Sequence, residues 1–367
     1  MNNIIESPFN PQFGKRPDSF VGREDIVDGL LREYYNQNAP ERVTIISGVR
    51  GSGKTSILSD ISTVLEESID WIVVNVATTD RLLDNLIGIL EHKLNHQIYS
   101  KLPSVKGVTV GTPFGSIEFG KPEMPTSTVF YPRLLALMEE IRQRELKMIF
   151  VIDEVHSTSE MREFVSTYQL LIRENYDIVL LMAGLPHYVD AILNDKILTF
   201  LKRANHIFLS FIEPFIFKLE YERIFKVAGR AFLEEALDIA YISTGGYPYL
   251  YQLIGYFLWR MDENEIDVQT VKIAVEQSKG MLFQNVYSII FSELSRVEQD
   301  FLQAMRLEGL ISEVQKIRER MGKNPSYVNS YREKLTKKGL IQSVSHGVIR
   351  FSLPFFGEYL AEQAKRM

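Results

Sequence analysis

The residues with the clearest chemistry lie in a glycine-rich segment. Residues 48–55 fit the spacing G-x-x-x-x-G-K-[ST]. In such a loop the glycines let backbone N–H groups turn inward onto phosphate oxygens, and the positive end of the following helix adds its field. Lys54 is expected to reach the β- and γ-phosphates, and the Thr55 hydroxyl to bind Mg²⁺. The expected contacts come from Gly48, Val49, Arg50, Gly51, Ser52, Gly53, Lys54, Thr55 and Ser56.

A pair of carboxylates follows an apolar stretch farther along the chain. Asp153 and Glu154 come directly after residues 148–152, which are all apolar. Parallel sheets place ligands at the carboxyl ends of their strands, so this pair is expected beside the phosphates. Asp153 is expected to hold Mg²⁺ through water, and Glu154 to orient or deprotonate the attacking water. The two segments together predict hydrolysis of a nucleoside triphosphate. An Asn-Lys-x-Asp string, which would indicate specificity for guanine, does not follow the loop, so ATP is the expected nucleotide.

The elements that must position these residues alternate between strands and helices. Strands are expected at 43–47, 71–76, 148–152, 178–182 and 206–211, and helices at 26–34, 55–65 and 81–102. The strands are continuously apolar, which is typical of a parallel sheet covered on both faces. The expected fold class is therefore α/β with a parallel sheet core.

Bulk composition narrows the class of protein. The 367 residues are 45% hydrophobic, which suits two or three domains with their own cores. No apolar run approaches the roughly 20 residues that span a bilayer, and the first residues do not resemble a secretory signal. We therefore expect a cytoplasmic protein without a membrane partner. The absence of cysteine excludes disulfides and thiolate chemistry, and the net charge of -6 gives no global attraction to nucleic acid.

The chain divides into three expected parts. Residues 1–213 form the nucleotide-binding core, with a β-hairpin insertion near 107–120. Residues 214–290, in which the strands stop and helical patterns are broken at Gly245 and Gly246, form a helical lid. Residues 291–367 contain helices at 295–307, 311–321 and 326–338 and a two-stranded ribbon that turns at His346 and Gly347. That order is typical of a winged helix-turn-helix.

With these motifs in place, the sequence resembles the AAA+ P-loop ATPases of the origin-recognition/initiator-like and STAND-like prokaryotic clade. Residues 48–55 resemble the family's Walker A motif, and Asp153 with Glu154 resembles its Walker B motif. Residues 20–24, Phe-Val-Gly-Arg-Glu, resemble the family's motif beside the adenine, with Val21 and Gly22 as the expected contacts. Pro248 lies in the segment that resembles its lid. The resemblance implies a P-loop NTPase (AAA+) parallel sheet core, a helical lid and a C-terminal winged helix, with ATP and Mg²⁺ as ligands.

Two departures from the family and one match concern catalysis. No polar sensor side chain stands at residues 182–184, and no arginine follows Pro248 in the lid helix. Both departures imply slow hydrolysis, used as a switch. Arg203, just before the fifth strand, matches the family's place for an arginine finger that reaches a neighbouring subunit, which would imply self-association. A solvated basic helix end stays open as the alternative for Arg203.

The C-terminal part carries a basic cluster. Between residues 316 and 338 eight basic residues stand against two acidic ones, a net +6. The basic residues are Lys316, Arg318, Arg320, Lys323, Arg332, Lys334, Lys337 and Lys338. In a winged helix the second helix of the motif enters the major groove, so Asn329 is expected near base edges and Lys334 and Lys338 near phosphates of duplex DNA.

Three functions stay open from the sequence. The first is an ATP-dependent molecular switch that binds DNA through its winged helix. The second is a STAND-like signalling or defence ATPase whose winged helix is regulatory or protein-binding. The third is a nucleotide-binding scaffold with negligible turnover.

Overall fold

The computed structural model describes residues 7–12, 21–100, 130–261 and 263–366. The predicted β-hairpin near 107–120 lies outside the described residues. Within the described part of the chain, no helix combines the length and the apolar character needed to cross a bilayer.

A five-stranded parallel sheet forms the centre of the N-terminal part. Its strands are β1 (Val43–Ser47), β2 (Trp71–Ala77), β3 (Lys147–Asp153), β4 (Ile178–Gly184) and β5 (Asn205–Phe208), in the spatial order β2-β3-β4-β1-β5. The predicted strands are confirmed, except that the fifth was expected to run to residue 211 and ends at Phe208. Leu209 still donates its N–H to the carbonyl O of Ser47. Because β1 ends there, the residues after Leu209 have no strand to pair with.

Helices cover both faces of this sheet. They are α1 (Glu24–Tyr34), α2 (Lys54–Glu66), α3 (Leu82–Ser100), α4 (Phe130–Gln143), α5 (Ser159–Arg173) and α6 (Pro186–Leu193). Side chains of β3 alternate between the two layers: Phe150 packs with Phe164 of α5, whereas Ile149 and Val151 belong to the core beneath α1 and α2. This double burial explains why the strands are continuously apolar.

The next part of the chain is mainly helical, and the beginning of one of its helices contacts the phosphate loop. Its elements are α7 (Pro214–Val227), β6 (Ala231–Phe232), α8 (Glu234–Thr244), α9 (Pro248–Trp259), β7 (Glu265–Ile266) and α10 (Val268–Leu282). The prediction that strands stop at this point is wrong, because β6 and β7 pair in parallel. Strands of two residues are too short to show a periodic pattern.

The C-terminal part has the order of elements of a winged helix. Its elements are α11 (Ser288–Ser292), α12 (Arg296–Arg306), β8 (Ile311–Glu313), α13 (Val314–Met321), α14 (Pro325–Lys337), β9 (Ile341–Ser345), β10 (Val348–Phe351) and α15 (Phe356–Arg366). The predicted helix from residue 311 is wrong in its first three residues, which form β8 and pair with β10. The sheet of the C-terminal part is thus three-stranded, in the order β8-β10-β9, and α15 is an additional helix.

One hydrophobic core runs from the lid into the C-terminal part. Phe217 and Leu250 of the lid belong to the same cluster of buried side chains as Leu302, Leu335 and Leu360. The boundary proposed between residues 290 and 291 therefore falls inside a continuous core. Movement of one of these parts relative to the other would expose apolar surface.

Two adjacent glycines offer a test of how the lid is joined to the sheet. Gly245 and Gly246 have φ angles of 52° and 77°. The space around Gly245 is open, whereas a Cβ on Gly246 would overlap the carbonyl O of Ile212. The N–H of Ile212 also donates to the carbonyl O of Gly246 at 2.7 Å. This close approach of two backbones ties the start of α9 to the segment after β5.

We predict that Gly246→Ala destabilises the fold far more than Gly245→Ala. Both substitutions carry the cost of about 1–2 kcal/mol for a left-handed residue with a Cβ, but only Gly246→Ala adds a backbone clash. Thermal unfolding of the two variants should therefore give the lower midpoint for Gly246→Ala. Equal midpoints would contradict this account of the junction.

Candidate nucleotide-binding site

The phosphate loop begins where β1 ends and closes in the first turn of α2. Gly51 has a φ of 75°, a conformation that glycine adopts without the steric cost of a Cβ. A side chain there would also overlap the hydroxyl of Tyr247 in the lid. That hydroxyl donates a hydrogen bond to the carbonyl O of Arg50 at 2.6 Å. The loop is therefore held by the sheet at its start and by the lid at its middle.

Lys54 opens α2, and its side chain folds back over the loop. The ammonium donates hydrogen bonds to the carbonyl oxygens of Gly48 at 2.9 Å and Val49 at 3.0 Å. Burial lowers the pKa of Lys54 to about 8, and the neighbouring Asp153 carboxylate partly opposes that shift. An arriving anion would favour the charged form of the amine. The position and the charge of Lys54 fit a phosphate ligand.

The two predicted Mg²⁺ ligands are in direct contact. The Thr55 hydroxyl donates to Asp153 Oδ2 at 2.7 Å. Thr55 follows β1 and Asp153 ends β3, and β4 lies between these two strands. A hydroxyl and a carboxylate are oxygen ligands of the kind that hold Mg²⁺ beside nucleotide phosphates.

Glu154 follows Asp153 in a left-handed backbone conformation with a φ of 52°. Positive φ is uncommon outside glycine, and such residues cluster at functional sites. The Glu154 N–H donates to Asp153 Oδ1 at 2.8 Å, and its carbonyl O accepts from Nδ1 of His156 at 2.8 Å. These bonds hold the backbone, so the exposed carboxylate is presented at the cavity from a constrained position.

These side chains border one cavity of about 660 Å³, a volume in the range of small-molecule sites. The predicted site residues that line it are Val21, Arg50, Gly51, Ser52, Gly53, Lys54, Thr55, Ser56, Asp153, Glu154 and Pro248. The other predicted residues, Gly22, Gly48, Val49 and Arg203, are not among its lining residues. Gly48 and Val49 nevertheless belong to the loop and accept the hydrogen bonds of Lys54.

Ser52 indicates whether an anion suits this loop. It lines the cavity, yet its hydroxyl is buried and lacks a hydrogen-bond partner in the protein. A buried hydroxyl without a partner costs free energy. A phosphate oxygen in the loop would supply the missing partner, so the residues present fit a nucleotide.

Arg203 lies at the opposite end of the sheet. It ends a short 3₁₀ turn, Thr199–Arg203, directly before β5, and β5 runs parallel to β1. The phosphate loop follows the carboxyl end of β1, whereas Arg203 precedes the amino end of β5. A four-residue strand spans roughly 13 Å. The exposed side chain of Arg203 therefore lies far from the nucleotide site of its own chain. A contact between Arg203 and a nucleotide would require a second copy of the chain.

Several further residues line the cavity. Arg23 is 7% exposed, burial lowers its pKa, and its guanidinium donates to the carbonyl O of Ser210. It belongs to residues 20–24, the segment that resembles the motif beside the adenine. The remaining unassigned residues include Asn10, Gln12, His156, Tyr188, Tyr249, Tyr251, Gln252, Asn285 and Glu293. Tyr251 is 1% exposed and also belongs to the hydrophobic core.

The two positions at which the sequence lacks the family's sensor side chains both border the cavity. β4 ends at Gly184, and α9 begins with Pro248 and Tyr249. Among the described residues, the arginines that line the cavity are Arg23 and Arg50, both from the N-terminal part. Within the described part of the chain, the lid helix therefore contributes no arginine to the cavity that could contact the terminal phosphates.

The basic cluster of the C-terminal part is partly neutralised by ion pairs. Lys316 pairs with Glu308 and Glu313, Arg320 with Glu308, Lys337 with Asp190 of α6, and Lys338 with Glu298. Lys338 lies 2.7 Å from a Glu298 side chain that is only 6% exposed. The expectation that Lys338 holds a DNA phosphate stays a prediction, and in this structure Lys338 pairs with a buried carboxylate.

A parallel sheet in the order β2-β3-β4-β1-β5, with a phosphate loop after β1 and a carboxylate pair after β3, defines a P-loop NTPase. Residues 19–175 match the AAA ATPase domain family, and residues 284–360 match a domain of unknown function (DUF8462). No curated protein sequence matches the chain.

Solved structures extend the similarity over nearly the whole chain. The Walker-type ATPase PABY2304 of Pyrococcus abyssi has a TM-score of 0.66 at 17% identity, with 94% of this chain and 97% of that chain covered. The ORC2 protein of Aeropyrum pernix, in ADPNP–ADP complexes, has a TM-score of 0.63 at 14% identity, with 94% and 95% covered. Cdc6p from Pyrobaculum aerophilum has a TM-score of 0.52 at 17% identity, with 98% and 97% covered. Residues 19–175 thus match an AAA ATPase domain, and the fold of the whole chain is similar to that of the ORC2 and Cdc6p structures.

The lowered pKa of Lys54 predicts proton uptake when nucleotide binds. In the free protein the amine loses its proton as pH rises through about 8, whereas phosphate contact raises that pKa again. ATP affinity should therefore fall above about pH 8, and binding near pH 8.5 should take up a fraction of a proton. Calorimetry in two buffers with different ionisation enthalpies measures this uptake. Lys54→Arg is the control, because a guanidinium does not titrate there; equal uptake in both proteins would contradict the assignment.

Proposed function

We propose that the chain is an ATP-dependent molecular switch, which hydrolyses ATP slowly and passes its nucleotide state to its C-terminal part. The observation that carries this proposal is the 2.7 Å contact between Thr55 and Asp153, which joins the phosphate loop to the carboxylate pair. Lys54 and Glu154 border the same cavity. A phosphate ligand, two metal ligands and a carboxylate base at one site are the parts that phosphoryl transfer to water requires.

Each of these side chains has a separate task in the proposal. Lys54 holds the terminal phosphates and offsets their charge. Thr55 and Asp153 hold Mg²⁺, which when bound neutralises charge on the phosphate oxygens. Glu154 orients the attacking water and accepts its proton, from a backbone held by Asp153 and His156.

Adenine nucleotides and slow turnover are supported by different observations. The ORC2 protein of Aeropyrum pernix, whose fold is similar, was solved in ADPNP–ADP complexes. Slow turnover is supported by Gly184 at the end of β4 and by the first turn of α9, where the described residues supply no charged sensor. Arg203 from a neighbouring copy would then be a supplementary arginine finger, and turnover would depend on self-association.

We further propose that the C-terminal part binds duplex DNA through α14. Asn329, Ser330 and Lys334 are exposed on this helix. Lys323 lies 5.7 Å from the ring of Tyr327, and Lys334 lies 4.7 Å from the ring of Tyr331. Residues 327, 331 and 334 of α14 follow helical spacing, and Lys323, just before the helix, contacts Tyr327, so the four residues form one basic and aromatic stripe. Such a stripe suits phosphate contacts at a groove.

A second candidate function is supported by the other end of α14. Lys337 pairs with Asp190 of α6, Lys338 pairs with Glu298, and Gly339 lies against Val49 of the phosphate loop. These contacts suit a STAND-like ATPase whose winged helix regulates the nucleotide site within the chain. A scaffold with negligible turnover is the third possibility, and ATPase measurements distinguish it from the other two.

We predict that Glu154→Gln retains ATP but loses turnover. Removal of a general base lowers rates by about 10²–10⁴-fold, whereas the amide keeps the shape of the side chain. Single-turnover hydrolysis should fall by at least about 100-fold, with ATP affinity nearly unchanged. Glu67→Gln removes an exposed carboxylate of the same core that does not line the cavity, and it should hydrolyse normally. Unchanged hydrolysis by Glu154→Gln would exclude Glu154 as the base.

We predict that neutralising the stripe of α14 reduces the salt dependence of DNA binding. Each phosphate contact contributes about -0.9 to the slope of log affinity against log salt. Lys323→Gln and Lys334→Gln in the full chain should each flatten that slope by up to this amount, in fluorescence anisotropy with labelled duplex. Lys316→Gln is the matched control, because Lys316 is already paired with two carboxylates. Absence of binding at low salt, or three equal slopes, would favour the regulatory function.

A further inference from the structure

Arg50 stands in the middle of the phosphate loop, and its side chain lines the cavity. Its Nη2 donates to Oε1 of Glu293 at 2.9 Å. Its Nε is buried and has no hydrogen-bond partner. A guanidinium has five N–H donors in a rigid fork. The guanidinium of Arg50 therefore has at least one buried N–H donor without a hydrogen-bond partner.

Glu293 belongs to the connection between the lid and the C-terminal part. It follows α11 directly, and Ser295, two residues later, caps α12. Glu298 accepts a hydrogen bond from the N–H of Ser295 and also pairs with Lys338, which directly follows α14. Residues 293–298 thus contact the phosphate loop at one end and the end of α14 at the other.

The charges around Arg50 favour an exchange of partners when an anion enters. The side chains of Arg50 and Glu293 are 27% and 44% exposed, and an ion pair so accessible to water is weak. Arg50 also contributes to the lowered pKa of Lys54, after the larger effect of burial, so the two cations act on one region. Hydrogen bonds from arginine to phosphate are bidentate and strong. A polyanion in the cavity would therefore compete successfully for Arg50 and repel Glu293.

We propose that Arg50 is a further phosphate-binding side chain, which moves from the Glu293 carboxylate to the terminal phosphates when a nucleotide binds. The exchange rests on the proposed nucleotide site and describes its regulation. Through this exchange the phosphate loop itself would sense the terminal phosphates. The lid helix brings no arginine to the described part of the cavity that could do so. Glu293, left beside an anion, would carry the signal to residues 293–298. Because coupling is reciprocal, weakening the Arg50–Glu293 pair must strengthen phosphate binding.

The affinity of the full chain for ATP, ADP and AMP tests the exchange. Glu293→Gln should tighten ATP binding about fivefold, because it removes both the competitor for Arg50 and a repelling charge. AMP lacks the terminal phosphates, so its affinity should change little. Glu313→Gln is the matched control: it removes a carboxylate of the same C-terminal part that does not line the cavity, and it should leave all three affinities unchanged. Arg50→Gln should weaken ATP binding, and Glu293→Gln should then add much less.

Thermal unfolding gives a second measurement that does not depend on turnover. Without nucleotide, the midpoint shifts of Arg50→Gln and Glu293→Gln should be non-additive, because the two side chains interact. With saturating ATP they should become additive. If the non-additivity persists with ATP, Arg50 has kept its carboxylate partner and the exchange is disproved.

The affinities also separate failure of the exchange from failure of the site. If Glu293→Gln leaves ATP affinity unchanged or lowers it, or tightens AMP as much as ATP, the exchange is wrong. The nucleotide site still stands in that case, provided that Lys54→Ala abolishes ATP binding. If the wild-type chain binds no ATP, or if Lys54→Ala binds it normally, the proposed function fails and the exchange fails with it.

Discussion

The contact between Thr55 and Asp153 depends on the order of the strands, and most of the site depends on that contact. β4 lies between β1 and β3, so the phosphate loop and the carboxylate pair meet across the end of a third strand. That strand ends in Gly184. The hydroxyl and the carboxylate meet at 2.7 Å. The other carboxylate oxygen of Asp153, Oδ1, accepts a hydrogen bond from the backbone N–H of Glu154.

Charge in this site is incompletely balanced by the protein alone. Burial disfavours the Lys54 ammonium, and the Ser52 hydroxyl and the Arg50 Nε lack hydrogen-bond partners. Each of these features costs free energy, and each would be relieved by an anion in the loop. A loop built in this way would bind an anion more tightly, at some expense of the stability of the free protein.

The C-terminal part is joined to the nucleotide site by packing and by charge. The lid and the winged-helix elements share one core, and Gly339 lies against Val49 of the loop. The end of α14 is used for this junction, because Lys337 and Lys338 pair with carboxylates of α6 and α12. The stripe at residues 323–334 remains on the surface. The end of α14 therefore faces the nucleotide-binding core, whereas the beginning of the helix lies on the surface.

The sequence by itself determined the sheet, the phosphate loop and the three helices of the winged-helix part, because apolar runs, glycine spacing and helical periodicity are local patterns. The tertiary structure decided the rest. β6, β7 and β8 contain two or three residues each, and only distant partners make them strands. The pairs of Arg50 with Glu293 and Lys338 with Glu298 join residues that no local pattern relates. Their charges can be counted in the sequence, but whether a charge is free or neutralised depends on which elements the fold brings together.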